Sequence, residues 1–133
     1  MKFFFVLLSF LVIYCDDSHD ISPQESEKQV IDNLKIEIKN LANESVCSED
    51  IICYSVGIGA KPCGGFWEYV VYSSSIDVVT FLTKIETVNE LEKQYNEKYT
   101  ILSDCYIVEP PSSLTCEDGK CKAIFIWCAE DYY

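Results

Sequence analysis

Eight cysteines in 133 residues, behind an apolar N-terminal run, constrain this chain more than any other feature. Lys2 is followed by Phe3 to Ile13, in which only Ser9 is polar. A short charged start and an apolar stretch too short for a membrane span read as a signal peptide over residues 1–14. Export implies an oxidising compartment, where cysteines pair. Cys15 either leaves with the signal or carries a modification. Seven then remain: Cys47, Cys53, Cys63, Cys105, Cys116, Cys121 and Cys128. An odd number predicts one unpaired thiol. Zinc and Cys-x-x-Cys redox chemistry fit poorly. Five residues separate Cys47 from Cys53, four separate Cys116 from Cys121, and the single histidine, His19, lies outside any cysteine pair. No metal and no cofactor are expected.

One pairing follows from turn chemistry. Asp118-Gly119 favours a two-residue hairpin turn. Cys116 and Cys121 would then face each other across the ribbon, with Cα atoms about 4.5 Å apart, within disulfide reach. This predicts a Cys116–Cys121 bridge. The other pairings stay open.

The remaining chain orders itself around a loop, Gly57-Ile58-Gly59-Ala60-Lys61-Pro62-Cys63-Gly64-Gly65-Phe66-Trp67, which holds four of the five glycines. Before it, polar residues 15–24 read as a tether. Ser22-Pro23-Gln24-Glu25 resembles a capping box and opens a helix reaching about Asn43, with Val30, Ile31, Leu34, Ile38 and Leu41 on one face. Ile51–Ile58 and Phe66–Tyr72 are β-rich and pair across the loop as a hairpin. Ser73-Ser74-Ser75 supplies an N-cap for a second helix, where Val78, Phe81, Ile85, Val88, Leu91, Tyr95 and Tyr99 recur at helical spacing. Its polar face, including Asn89 and Asn96, reads as solvated. Asp104–Glu109 is expected to be a strand that Pro110-Pro111 stops, and the Asp-Gly hairpin spans 115–128. The order α-β-β-α-β-β predicts an α+β domain over 25–133, two helices on a small antiparallel sheet, pinned by disulfides.

Charge excludes one class of partner. All ten basic residues are lysines, against 22 acidic ones, for a net charge of −12. Such a chain repels nucleic acid and lacks arginine's planar fork. Catalysis is not expected, because His19 sits in the tether and no phosphate loop or calcium loop is present.

Two resemblances add to this. Val12-Ile13-Tyr14-Cys15 closes the apolar run as the lipobox of a bacterial lipoprotein precursor does, with Tyr14 standing where that family has a small residue. The resemblance implies that Cys15 becomes the lipid-bearing (palmitate-carrying) first residue and that the protein is anchored to the outer membrane of the cell envelope. Without lipidation it would be secreted. The second rests on Gly59-Ala60-Lys61-Pro62-Cys63-Gly64-Gly65, Tyr72-Ser73-Ser74, Tyr95-Asn96, Ser103-Asp104-Cys105 and Cys116-x4-Cys121. This pattern is similar to a group of small six-cysteine bacterial secreted proteins and lipoproteins with no assigned activity. Cys128 lies outside that pattern and is therefore the expected unpaired thiol. The functional expectation is a lipid-anchored envelope protein with a non-catalytic binding or structural role. The alternative is an exported protease inhibitor that inserts the loop around Pro62-Cys63. Lys61, Pro62, Phe66 and Trp67 are the candidate binding residues, and an envelope protein or a protease is the candidate partner.

Overall fold

Ser22 accepts a hydrogen bond from the Glu25 backbone N–H at 3.2 Å, and Pro23 follows in the first turn, where its missing N–H costs nothing. This cap opens α1, Pro23–Glu44, in a computed structural model that describes residues 21–126. The apolar run, Cys15, His19, Trp127 and Cys128 lie outside the described residues. The helix takes in the last two residues of the expected tether, Pro23 and Gln24.

The elements then follow in the expected order α-β-β-α-β-β: β1 Cys53–Ala60, β2 Phe66–Ser73, α2 Val78–Tyr99, β3 Ser113–Glu117 and β4 Lys120–Ile124. They form two separate two-stranded antiparallel sheets, β1-β2 and β3-β4. In the first, Val56 faces Val70 and Tyr54 faces Tyr72, which fixes one apolar face by the two-residue period of a strand. Both helices lie against this sheet, and Ile31, Ile38, Ala42, Ile58, Val70, Tyr72, Phe81, Ile85, Val88 and Tyr95 form the core between them. Fully burying one such side chain stabilises by roughly 1.5–3 kcal/mol. Every residue of this cluster belongs to α1, β1, β2 or α2. The periodic residues of α2 behave as expected, whereas Val30 of α1 is exposed.

Three local expectations need correction. Asp77, not the serine run, caps α2: its carboxylate accepts from Thr80 N–H at 3.1 Å and Thr80 Oγ1–H at 2.7 Å. The serines join elements instead. Ser73 Oγ–H donates to Val46 C=O at 2.5 Å, Ser73 N–H to Ser45 Oγ at 3.2 Å, and Val46 N–H to Ser75 Oγ at 2.9 Å. They satisfy backbone groups where the end of α1 meets the end of β2. Asp104–Glu109 forms no strand. Its β-prone residues find no sheet edge, and the segment is held by the Cys105 bridge and by side-chain contacts described below.

The third correction concerns Cys116 and Cys121. The hairpin forms as expected, with Asp118 and Gly119 both at positive φ (51° and 74°), the geometry of a type I′ turn, and Cys116 directly opposite Cys121. Yet the two do not bond to each other. Cys116 bridges to Cys47 and Cys121 to Cys53, with Cα–Cα distances of 5.9 and 5.7 Å. Directly opposed side chains stand on the same face of a ribbon. Here that face meets the end of α1 and the start of β1, so each sulfur reaches a different element. Cys63 bridges to Cys105, at a Cα–Cα distance of 5.4 Å. All six cysteines of the expected set are thus paired. Disulfides persist in oxidising environments, so the chain is one made for such a compartment. No helix among the described residues is long and apolar enough to cross a membrane.

Candidate functional site: a loop pinned from both sides

The tip between β1 and β2 is a tight turn. Gly64 N–H donates to Lys61 C=O at 3.0 Å, and Lys61 N–H donates to Gly65 C=O at 3.1 Å. Pro62, Cys63, Gly64 and Gly65 are exposed. The Cys63–Cys105 bridge ties this tip to the segment that follows α2.

Lys61 fastens the loop from beneath. Its side chain is only 4% exposed. The ammonium donates to Tyr106 C=O at 2.5 Å and to Asp104 Oδ1 at 3.3 Å. It also lies 4.8 Å from the Trp67 ring centroid and 5.7 Å from that of Tyr106, within cation–π range. Asp104 Oδ1 accepts the Tyr106 N–H at 3.1 Å. That backbone bond first, and the Lys61 ammonium second, hold the Asp104 carboxyl below its ordinary range. A charged lysine and a disulfide therefore clamp residues 104–106 to the loop, replacing the strand pairing that the sequence suggested there.

Of the four candidate binding residues, only Pro62 sits on the exposed tip. Lys61 is committed inside. Phe66 begins β2, and its ring covers Gly57 so closely that no Cβ would fit there. Trp67 is half-exposed and carries the Lys61 ammonium on its ring. An open groove of about 300 Å³ runs beside the tip between Pro62, Gly64 and the Lys93, Asn96 and Glu97 side of α2.

The polar side of α2 is not simply solvated. Asn89 accepts the Gly59 N–H at 2.6 Å and donates to Gly57 C=O at 3.3 Å. Asn96, which is buried, donates to Ala60 C=O at 2.7 Å. These amides occupy backbone groups that β1 would otherwise leave open. Between them lies Glu92, 5% exposed, paired with Lys35 of α1 at 2.6 Å. Its second oxygen, Oε2, has no hydrogen-bond partner among the described residues. Sequence reasoning missed Glu92, Asn89 and Asn96 as structural groups. Their spacing of three and four residues was the available signal, because it places all three on one side of a helix.

Cys47, Cys53 and Cys121 bring their sulfurs within 4.8 Å of one another. This is the packing of two neighbouring disulfides. Each sulfur is bonded to another sulfur, so none is the thiolate that a metal ion needs. The sequence matches no protein-family model, no curated protein and no solved structure.

Proposed function

We propose that this chain is an exported protein, anchored to the cell envelope by lipid on Cys15, with a non-catalytic binding or structural role. The observation that carries the reading is the closure of all six cysteines from Cys47 to Cys121 into three bridges, which fits a domain that works outside the reducing cytoplasm. The lipobox-like Val12-Ile13-Tyr14-Cys15 supports the anchor, and the resemblance to small six-cysteine secreted proteins and lipoproteins agrees with it. The buried polar side chains support a non-catalytic role. Lys61, Asn96 and the Lys35–Glu92 pair each join one element to another. The exposed tip at Pro62–Gly65 is the part most suited to presentation to an envelope partner, because a clamped loop has already lost the entropy that binding would cost it.

The test is fractionation of the full-length protein against Cys15→Ser. Several acyl chains hold a protein stably to a membrane where a single chain is marginal. The wild type should sediment with membranes and gain lipid mass, and the variant should be released or stay as uncleaved precursor. A processed Cys15→Ser protein that still sediments with membranes would sink the reading.

The same clamped tip favours a second reading, an exported protease inhibitor. In that case contact would come from Pro62 to Gly65, since Lys61 points inward. Inhibition of a panel of purified proteases that disappears on Pro62→Asp would support it. An inactive wild type would dismiss it.

A further inference from the structure

We propose that Cys47, Cys53, Cys116 and Cys121 form a thiol–disulfide exchange site, at which an external thiol converts the two bridges into a second pairing and frees the β3-β4 hairpin. The inference goes beyond the envelope role and does not depend on lipidation.

Three observations carry it. First, the two bridges are stacked, with the Cys47, Cys53 and Cys121 sulfurs mutually within 4.8 Å. Second, both alternative partners are already close along the backbone. Cys116 faces Cys121 across the hairpin. Cys47 and Cys53 flank a tight turn in which Ser48 pairs with Ile51 and the Ile51 N–H donates to Ser48 C=O at 3.2 Å. Third, access is graded. Cys116 is exposed, Cys53 and Cys121 are half-buried, and Cys47 is buried. Of these four, Cys116 is therefore the one that an incoming thiolate meets first.

The exchange balances without net oxidation. A thiolate attacks Cys116 Sγ, forms a mixed disulfide and releases Cys47 as thiolate. Cys47 attacks the neighbouring Cys53 Sγ, forms Cys47–Cys53 and releases Cys121 as thiolate. Cys121 attacks Cys116 Sγ from across the ribbon, forms Cys116–Cys121 and returns the external thiolate. Two disulfides exist before and after, and the thiol is a catalyst.

The structural consequence follows from where the bridges lie. In the pairing seen here both run from the hairpin to the α1–β1 body. In the second pairing one bridge closes within the α1–β1 turn and the other within the hairpin, and neither links the hairpin to the body. What then remains among the described residues is the packing of β3 beside β1 and of β4 beside β2, the Lys120 ammonium on Asn43 and Ser45 C=O, at 2.6 and 3.0 Å, and the Cys47 N–H on Gly119 C=O at 2.9 Å. No hairpin residue belongs to the core cluster. The hairpin would move on the 107–112 segment, which has no secondary structure and follows the clamped residues 104–106. A reactive partner would be a small thiol or a protein bearing an accessible thiolate.

Peptide mapping decides the matter. The full chain is incubated with a trace of reduced glutathione without air, quenched by acid alkylation and digested unreduced. Linked Cys47–Cys53 and Cys116–Cys121 peptides should appear together, growing with time while the number of free thiols stays constant. Recovery of only the original links, or of free thiols without new links, would overturn the proposal. A second variant reads the consequence. Cys47→Ala with Cys53→Ala leaves Cys116 and Cys121 to pair with each other. Amide exchange over 113–124 should accelerate by about tenfold or more, with α2 unchanged. A hairpin as protected as in the wild type would refute the release. Should that variant fail to fold, the wild-type map still decides the exchange.

Discussion

Three glycines in the central loop, Gly59, Gly64 and Gly65, have positive φ, and Gly59 and Gly64 differ in what surrounds them. Gly59 has φ 79°, and a Cβ there would lie 2.8 Å from both Glu92 Oε2 and Lys35 Nζ and 2.9 Å from the Trp67 ring. Gly64 has φ 93°, and a Cβ there would meet no described atom within 4 Å. Left-handed backbone costs an L-residue about 1–2 kcal/mol, and crowding a packed site costs about 1–3 kcal/mol more. Gly64→Ala should therefore cost about 1 kcal/mol, and Gly59→Ala about 3 kcal/mol, in urea unfolding. Equal losses would mean that the Lys35–Glu92 pair yields easily and that β1 is not tightly seated on it. The sequence shows the glycines but not this difference. Composition says that a loop must bend; only the fold says which glycine lies beneath a buried ion pair. Lys61 is the same case. Its place beside Pro62 at a glycine-rich tip suggests presentation, and only the positions of Trp67, Asp104 and Tyr106 turn it inward.

At the scale of elements, the local signals were legible wherever a short-range rule suffices. Ser22-Pro23 starts α1, the three- and four-residue steps from Val78 to Tyr99 make α2, and Asp118-Gly119 sets a hairpin whose register places Cys116 against Cys121. Illegible were the choices that depend on a distant neighbour. Asp104–Glu109 has strand-like residues but no edge to join. Ser73–Ser75 could cap a helix, but the end of α1 claims their hydroxyls, and Asp77 caps α2. That cap carries a pH signature. The Thr80 hydroxyl first, and then the Thr80 N–H, hold the Asp77 carboxyl below its ordinary value of 3.8. A depressed folded value contributes stability above the unfolded value, and that stability is lost as pH falls through the folded value. The thermal midpoint should thus fall as pH drops below about 4, and Asp77→Asn, which keeps the capping oxygen, should remove part of that slope. An unchanged slope in the variant would show that other carboxylates account for it.

Across the whole molecule, a two-helix, two-strand body with its own core carries a hairpin that shares none of that core. The bridges Cys47–Cys116 and Cys53–Cys121 span 69 and 68 residues. Closing a loop of that length removes about 4 kcal/mol of chain entropy from the unfolded state. The second bridge then closes only the short ring made by 47–53 and 116–121, which corresponds to about 3 kcal/mol. Deleting both would on that basis cost the body about 7 kcal/mol, enough to unfold a domain of ordinary stability. The separation of core from hairpin argues for a smaller loss. Without bridges the hairpin is free to detach in the native state as well, so the folded chain regains much of the entropy that the unfolded chain does. The variant with Cys47, Cys53, Cys116 and Cys121 all changed to alanine should accordingly keep its helical circular dichroism at 25 °C, with fast amide exchange at Leu114 and Ala123 and slow exchange at Val88. Its urea midpoint should fall by clearly less than the full loop entropy requires. A variant that loses its helices without denaturant would show that the hairpin is part of one cooperative unit with the body.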